Sequence, residues 1–246
     1  MIRKFLEYID QTAFDPISSF YIKDELNPKI WDDFKMKSEI KEDLLKIAYD
    51  FYESTDLTAD IKDIILTGSL ANYNWSQRYS DFDLHVVVDF NDISDDFDMV
   101  KKLTGYAKKL WALQYDIKLE GYEVELYIQD ENEPHTSTGV YSILNDEWNV
   151  KPEKKTFEPN EKEIQDKAEP IIIMVDDIEE NFDKLPLDEI KEKLDKVWDK
   201  IKNTRKRGLE EGEFGLGNLV FKLLRRNGYI SKVIEMKRKL YIKQFN

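Results

Sequence analysis

The chain contains no cysteine. Disulfide staples, thiolate nucleophiles and cysteine-based zinc or iron–sulfur centres are therefore excluded. It has only two histidines, His85 and His135. A zinc site built on several imidazoles is excluded too, and any bound metal would be a hard cation on oxygen ligands. Long apolar runs are also missing. Ile171-Ile172-Ile173-Met174-Val175 is far short of the roughly 20 residues of a membrane span. The basic start Met1-Ile2-Arg3-Lys4 is followed by Glu7 and Asp10, which interrupt a signal-peptide core. These absences predict a cytoplasmic protein without membrane association.

What is present is enough for a folded body. Of 246 residues, 41% are hydrophobic and 13% aromatic, and the 36% that are charged carry a net −14. Apolar residues recur periodically, so the charge reads as a solvated surface rather than disorder. Its distribution is uneven: from Asn203 onward there are eleven Lys/Arg against four Asp/Glu. An acidic body repels polyanions unless its charge is locally reversed, and this tail is where it reverses.

The periodicities predict an α+β fold, with a small mixed sheet flanked by helices and then a helical C-terminal domain. Residues before Asn27-Pro28 read as helical and then irregular, broken at the proline. A helix is expected from Ser38, capped by that serine, with Leu44, Leu45, Ile47, Ala48 and Phe51 on its apolar stripe. Ile64-Ile65-Leu66 reads as a buried strand ending at Gly68. Phe82, Leu84, Val86 and Val88 alternate with Asp83, His85 and Val87 in a second strand. An acidic turn leads into a helix whose buried face is expected at Val100, Leu103, Ala107, Leu110 and Leu113. Tyr122–Ile128 alternates again, with Glu123, Glu125 and Tyr127 on one face. The Pro152/Pro159 connector divides residues 1–150, a catalytic domain with N-terminal helices, from 151–246, a basic helical domain. Helices are expected near 160–182, 187–206, 215–227 and 230–242. Glycines 208, 212, 215 and 217 read as a flexible stretch between the second and third.

Asp81 and Asp83 are the chemistry-bearing pair. At i and i+2 on a strand, both carboxylates leave one face roughly 6–7 Å apart. Such a pair suits Mg²⁺ or Mn²⁺. In a chain with 51 acidic residues the spacing also arises by chance, as in Asp96/Asp98. Gly68-Ser69 strengthens the metal reading, because glycine at a strand end lets backbone approach a ligand closely and exposed N–H groups with a hydroxyl suit phosphate oxygens. An acid on a later strand would complete a metal site: Glu125, with Glu123 as the alternative.

Strand, Gly68-Ser69, loop, Ser80-Asp81-Phe82-Asp83-Leu84, helix and acid-bearing strand together resemble the nucleotidyltransferase superfamily of DNA polymerase β. The stretch Leu66-Thr67-Gly68-Ser69-Leu70-Ala71-Asn72-Tyr73-Asn74-Trp75-Ser76 looks like the minimal transferases of bacteria and their phages. The resemblance covers roughly residues 40–130. It implies that Gly68 and Ser69 hold the triphosphate of an incoming NTP such as ATP. It implies that Asp81 and Asp83 bind metal and that Glu125 binds it near the attacking hydroxyl. The implied reaction is in-line attack on the α-phosphate with release of pyrophosphate. Two positions depart from the pattern. Where many members have a second glycine there is Asn72-Tyr73-Asn74, and asparagine tolerates left-handed backbone. The third acid is Glu125 rather than aspartate.

Four features have two readings each. His85 either touches the site or supports it, and His135 either reaches substrate or is a surface residue. Trp75 either stacks on a base or packs. The basic tail either contacts an RNA or other polyanion or docks on acidic groups of the same chain. For the whole chain, the alternative to an enzyme is a catalytically impaired transferase fold acting as an antitoxin or nucleic-acid adaptor. A metal-dependent sugar transferase leaves Gly68-Ser69 unexplained.

Overall fold

Two alternating segments and one short apolar run, Ile64-Ile65-Leu66, produce the three long strands that organise the molecule. In the computed structural model, which describes residues 16–134 and 137–245, these are β3 (Ile61–Thr67), β4 (Phe82–Val88) and β6 (Tyr122–Asp130). Short strands surround them: β1 (Trp31–Asp32), β2 (Lys35–Met36), β5 (Lys118–Leu119), β7 (Val140–Ser142) and β8 (Glu147–Val150). The main sheet has the order β5-β6-β4-β3-β7-β8. Its pairs are antiparallel except β4 with β6. A parallel pair needs a crossover, and helix α2 (Phe97–Gln114) supplies it. Helix α1 (Ser38–Glu53) precedes β3. The protein is thus α+β, a sheet core followed by a helical C-terminal region.

The chain divides into two units. One is Ile22–Thr156; the other is Phe157 onward together with the described residues 16–21. The division falls at 156/157 rather than 150/151. Residues 16–21 belong with the helices because Ile17 and Phe20 are buried in the helical core, not with the sheet as expected. Met1–Asp15, read from sequence as helical, lies outside the described residues.

In the sheet unit, one face is wholly apolar. Ile64 and Leu66, then Phe82, Leu84, Val86 and Val88, then Leu126 join Leu44, Ala48 and Phe51 of α1 in a single core. At roughly 25 cal/mol per Å² of apolar surface buried, this face is the main source of the unit's stability. The start of α1 is Ser38, but the residue in the cap position is Lys37, without a side-chain cap hydrogen bond; Ser38 is inside the helix and caps nothing.

Helix α2 departs most from its sequence reading. Val100 and Thr104 are its buried residues, and Trp111 packs edge-on against Phe51. Leu103, Leu110 and Leu113, expected inside, are exposed, Leu113 to 83%. The helix turns its Val100/Thr104/Trp111 stripe to the core, which sets Lys108 toward β6.

The helical unit contains α3 (Glu161–Asn181), α4 (Leu187–Glu210), α5 (Leu216–Arg226) and α6 (Tyr229–Lys243). Of the four glycines expected to be flexible, Gly208 inside α4, Gly217 inside α5 and Gly215 between them are contact points, whereas Gly212 has open space around it. A Cβ on Gly208 would lie 2.0 Å from Asn218 N, and one on Gly217 would lie 2.1 Å from Thr204 O. Only hydrogen fits where the two backbones meet. Among the described residues, no helix is long and apolar enough to cross a membrane.

Candidate active site

The second face of the sheet carries the candidate site residues. In the ladder Thr67 pairs with Asp83, and Asp83 with Glu125. Three neighbouring strands therefore present a hydroxyl and two carboxylates in one row. Asp81 stands just before β4, two residues from Asp83. Glu123 is elsewhere: it is Lys118's ladder partner and ion-pairs with it at 3.8 Å. Of the two candidates for third acid, Glu125 is the one opposite Asp83.

Gly68 joins the two halves of the motif. Its φ is +73°, in the region that side chains disfavour. A Cβ there would sit 1.9 Å from Asp83 Oδ2. Both conditions require glycine, and together they bring the strand-end backbone against the Asp83 carboxylate. The following loop is closed by hydroxyls: Ser69 Oγ lies 2.7 Å from Ser80 Oγ, and Ser76 N donates to Ser80 Oγ at 2.9 Å. The asparagines do not use left-handed backbone. Asn72 is extended, with φ −152°, and its Nδ2 donates to Thr138 Oγ1 while its Oδ1 accepts from Tyr73 N.

Glu125 is engaged by two groups the sequence did not single out for the site. Lys108 Nζ donates to its Oε2 at 2.9 Å, and Tyr127 Oη donates to the same oxygen at 2.7 Å. Lys108 Nζ also lies 3.4 Å from the Tyr127 ring centroid, and His85 stacks on that ring at 4.6 Å. His85 Nδ1 is 2.7 Å from Gln129 Oε1, so His85 supports the face through Tyr127 and Gln129. Burial raises the Tyr127 hydroxyl well above its ordinary value, and the Glu125, Asp83 and Asp81 carboxylates add to the shift. All three acids are thus near enough to act on one phenol, and Tyr127 stays a hydrogen-bond donor.

Asp81 and Asp83 offer the oxygen ligands a hard cation requires, beside a glycine backbone that lies against the Asp83 carboxylate. To that extent the residues fit Mg²⁺ or Mn²⁺. The three acids do not form a ready-made cage: no group of three or more His, Cys, Asp or Glu side chains gathered for metal occurs among the described residues. The physical reason at Glu125 is that Lys108 matches its charge, so Glu125 would join a metal only by exchanging that partner.

A cavity of about 340 Å³ lies between the sheet face and α2; none of Asp81, Asp83 and Glu125 lines it. Thr67, His85 and Tyr127 line one wall, Lys101, Gly105 and Lys108 the other. Ser137, also in its lining, accepts a 3.4 Å hydrogen bond from Gly68 N, so the cavity adjoins the motif.

Other candidates resolve otherwise. Trp75 donates to Glu25 O at 3.0 Å and packs against the sheet core. His135 lies outside the described residues. In the basic tail, Lys232 pairs with Asp176 and Glu179, Lys237 with Asp195, Lys239 with Glu235 and Lys243 with Asp183. Four of the eleven cations of the tail are thus matched within the helical unit.

The chain matches no family model, no curated protein and no solved structure.

Proposed function

We propose that this chain is a metal-dependent nucleotidyltransferase, moving an NMP from an NTP to a hydroxyl acceptor with release of pyrophosphate. The observation that carries the reading is the seating of the Gly68 backbone on the Asp83 carboxylate, with Asp81 two residues away and Glu125 opposite in the ladder. A phosphate chain lying along Gly68-Ser69 would have its α-phosphorus beside both aspartates.

Asp81 and Asp83 would hold Mg²⁺ or Mn²⁺, which supplies charge neutralisation for the phosphate oxygens. The Ser69 hydroxyl and the turn at Gly68 hold the triphosphate. Asp83 fixes the line of attack from a strand whose partners on both sides are hydrogen-bonded. The acceptor oxygen forms a bond to the α-phosphorus. The bond from that phosphorus to the bridging oxygen breaks, and pyrophosphate leaves with the electron pair. The hydroxyl proton passes to Glu125, which Tyr127 and Lys108 orient. Positioning and electrostatics carry such a transfer.

Incubation with labelled NTPs, Mg²⁺ and cell extract should give acceptor labelling and pyrophosphate release, lost in Asp81→Ala/Asp83→Ala. Equal behaviour of that variant and wild type with every NTP would end the proposal.

A second reading is favoured by one feature, the Lys108 cation on Glu125. A neutralised third acid suits a fold that binds metal–NTP without turnover, as an antitoxin or nucleic-acid adaptor would. Calorimetry separates the two: tight Mg²⁺–NTP binding without pyrophosphate release favours this reading.

A further inference from the structure

The cavity between the sheet face and α2 has a definite chemistry, and it indicates the class of acceptor. Its one large aromatic wall, Tyr127, has no open face: His85 stacks on it and Lys108 lies over it. Phe90 is buried, 2% exposed. A base or an apolar ring entering here finds no open face of Tyr127 to stack on. The lining is polar: the ammonium groups of Lys101 and Lys108, the Glu133 carboxylate, the hydroxyls of Thr67 and Ser137, and the Gln129 amide.

The two cations differ in availability. Lys108 is committed to Glu125. Lys101 is paired with Glu133 at 3.6 Å, and both side chains are largely exposed. Such a bridge contributes little to stability, so Lys101 can exchange Glu133 for an incoming anion at small cost. The cavity reaches the motif through Thr67, the ladder partner of Asp83, and through Lys108 and Tyr127, which hold Glu125.

Gly105 opens the cavity. It is inside α2, where glycine is unfavourable. A Cβ there would meet no heavy atom within 4 Å. The position is exposed and lines the cavity, so a bulky side chain here would enter it whereas a methyl group would leave it open.

The geometry points to a phosphorylated hydroxyl compound, a sugar phosphate or related polyol phosphate, as the occupant of this cavity and the acceptor of the transfer, with its phosphate on Lys101. This rests on the nucleotidyltransferase reading. In the step itself, a free hydroxyl of that compound forms the bond to the NTP α-phosphorus, its proton goes to Glu125, and pyrophosphate departs with the electrons of the broken bond.

Calorimetric titration of the full chain with glucose 6-phosphate and glucose tests it. Wild type should bind the phosphate ester at least tenfold more tightly than the sugar, with affinity falling as salt rises. Lys101→Met and Gly105→Leu should each weaken the ester at least tenfold. Gly105→Ala, which leaves the space open and favours the helix, should bind like wild type and shows that α2 tolerates substitution there. A non-hydrolysable ATP analogue with Mg²⁺ should bind all four proteins within twofold. Equal binding of sugar and ester, or Gly105→Leu binding the ester as wild type does, overturns the proposal. If the ATP analogue fails to bind wild type while the ester binds in a Gly105-dependent way, the transferase reading and the acceptor role fall, and the anion cavity alone stands.

Discussion

The two faces of the main sheet are one residue apart in sequence and opposite in character. Phe82 and Leu84 are fully buried in the apolar core; Asp83, between them, faces Gly68, Thr67 and Glu125. The same holds for Leu126 between Glu125 and Tyr127. Because a strand's side chains alternate, fold stability and chemistry are written on alternate residues of the same segments. The polar face can therefore be altered with little effect on folding, and the apolar face with little direct effect on chemistry.

The largest test of that separation is at Asp83 and Leu84. Asp83→Asn should lower transfer by about 10³-fold or more, with a melting temperature near wild type. Leu84→Ala should cost about 2–5 kcal/mol of stability, measured by denaturant unfolding, while the protein that remains folded keeps its nucleotide affinity. Similar stability losses in both variants would break the comparison.

Gly68→Ala crosses the two faces. It needs a positive φ and drives a methyl group into the Asp83 carboxylate, so it should lose activity and destabilise by about 1–3 kcal/mol. Gly121 also has a positive φ, +89°, but open space around it. Gly121→Ala should cost about 1 kcal/mol and leave activity intact.

Lys108→Met sharpens the reading of the chemical face. With its cation removed, Glu125 becomes available to metal. Mn²⁺ binding should tighten, by up to about tenfold, or about 1.4 kcal/mol. Unchanged Mn²⁺ affinity would mean that Glu125 stays outside the metal site.

The smallest effect belongs to the apolar face. Tyr141 is buried in the core and its hydroxyl donates to Asp146 at 2.6 Å. That bond first, then Lys41 and Lys35, holds the Asp146 carboxyl below its usual range. A depressed carboxyl pKa stabilises the fold above the unfolded value of about 3.9 and ceases to do so as pH falls through the folded value. Tyr141→Phe should therefore cost about 0.5–1.5 kcal/mol at pH 7. The gap from wild type should close below pH 4 in acid-unfolding curves.

Much of this was legible in the chain. β4 and β6 were readable from their alternation and β3 from the apolar run Ile64-Ile65-Leu66 before Gly68, and strand parity assigns Asp83 and Glu125 their face, while Asp81 lies just before β4. The four C-terminal helices were readable from 3.6-residue periodicity and from the break at Leu185-Pro186. β1, β2, β5, β7 and β8 were not, since two to four residues contain no measurable period. Helix α2 was misread because it has two apolar stripes, and only the fold decides that Val100 and Trp111 go inward while Leu103 and Leu110 do not. That error hid Lys108, whose role depends on which way the helix faces. A signal existed: Val100, Thr104, Lys108 and Trp111 follow helical spacing. Gly208 and Gly217 looked flexible because a sequence cannot distinguish a loose glycine from one pressed between two backbones.

The central claim is that the face bearing Asp81 and Asp83 binds a metal–nucleotide complex. Electron paramagnetic resonance of Mn²⁺ with a non-hydrolysable ATP analogue tests it directly. Wild type should remove free Mn²⁺ signal stoichiometrically in the presence of the analogue, and Asp81→Asn/Asp83→Asn should not, while remaining folded by circular dichroism. Equal Mn²⁺–nucleotide binding by the two proteins, or none by wild type, would contradict the account.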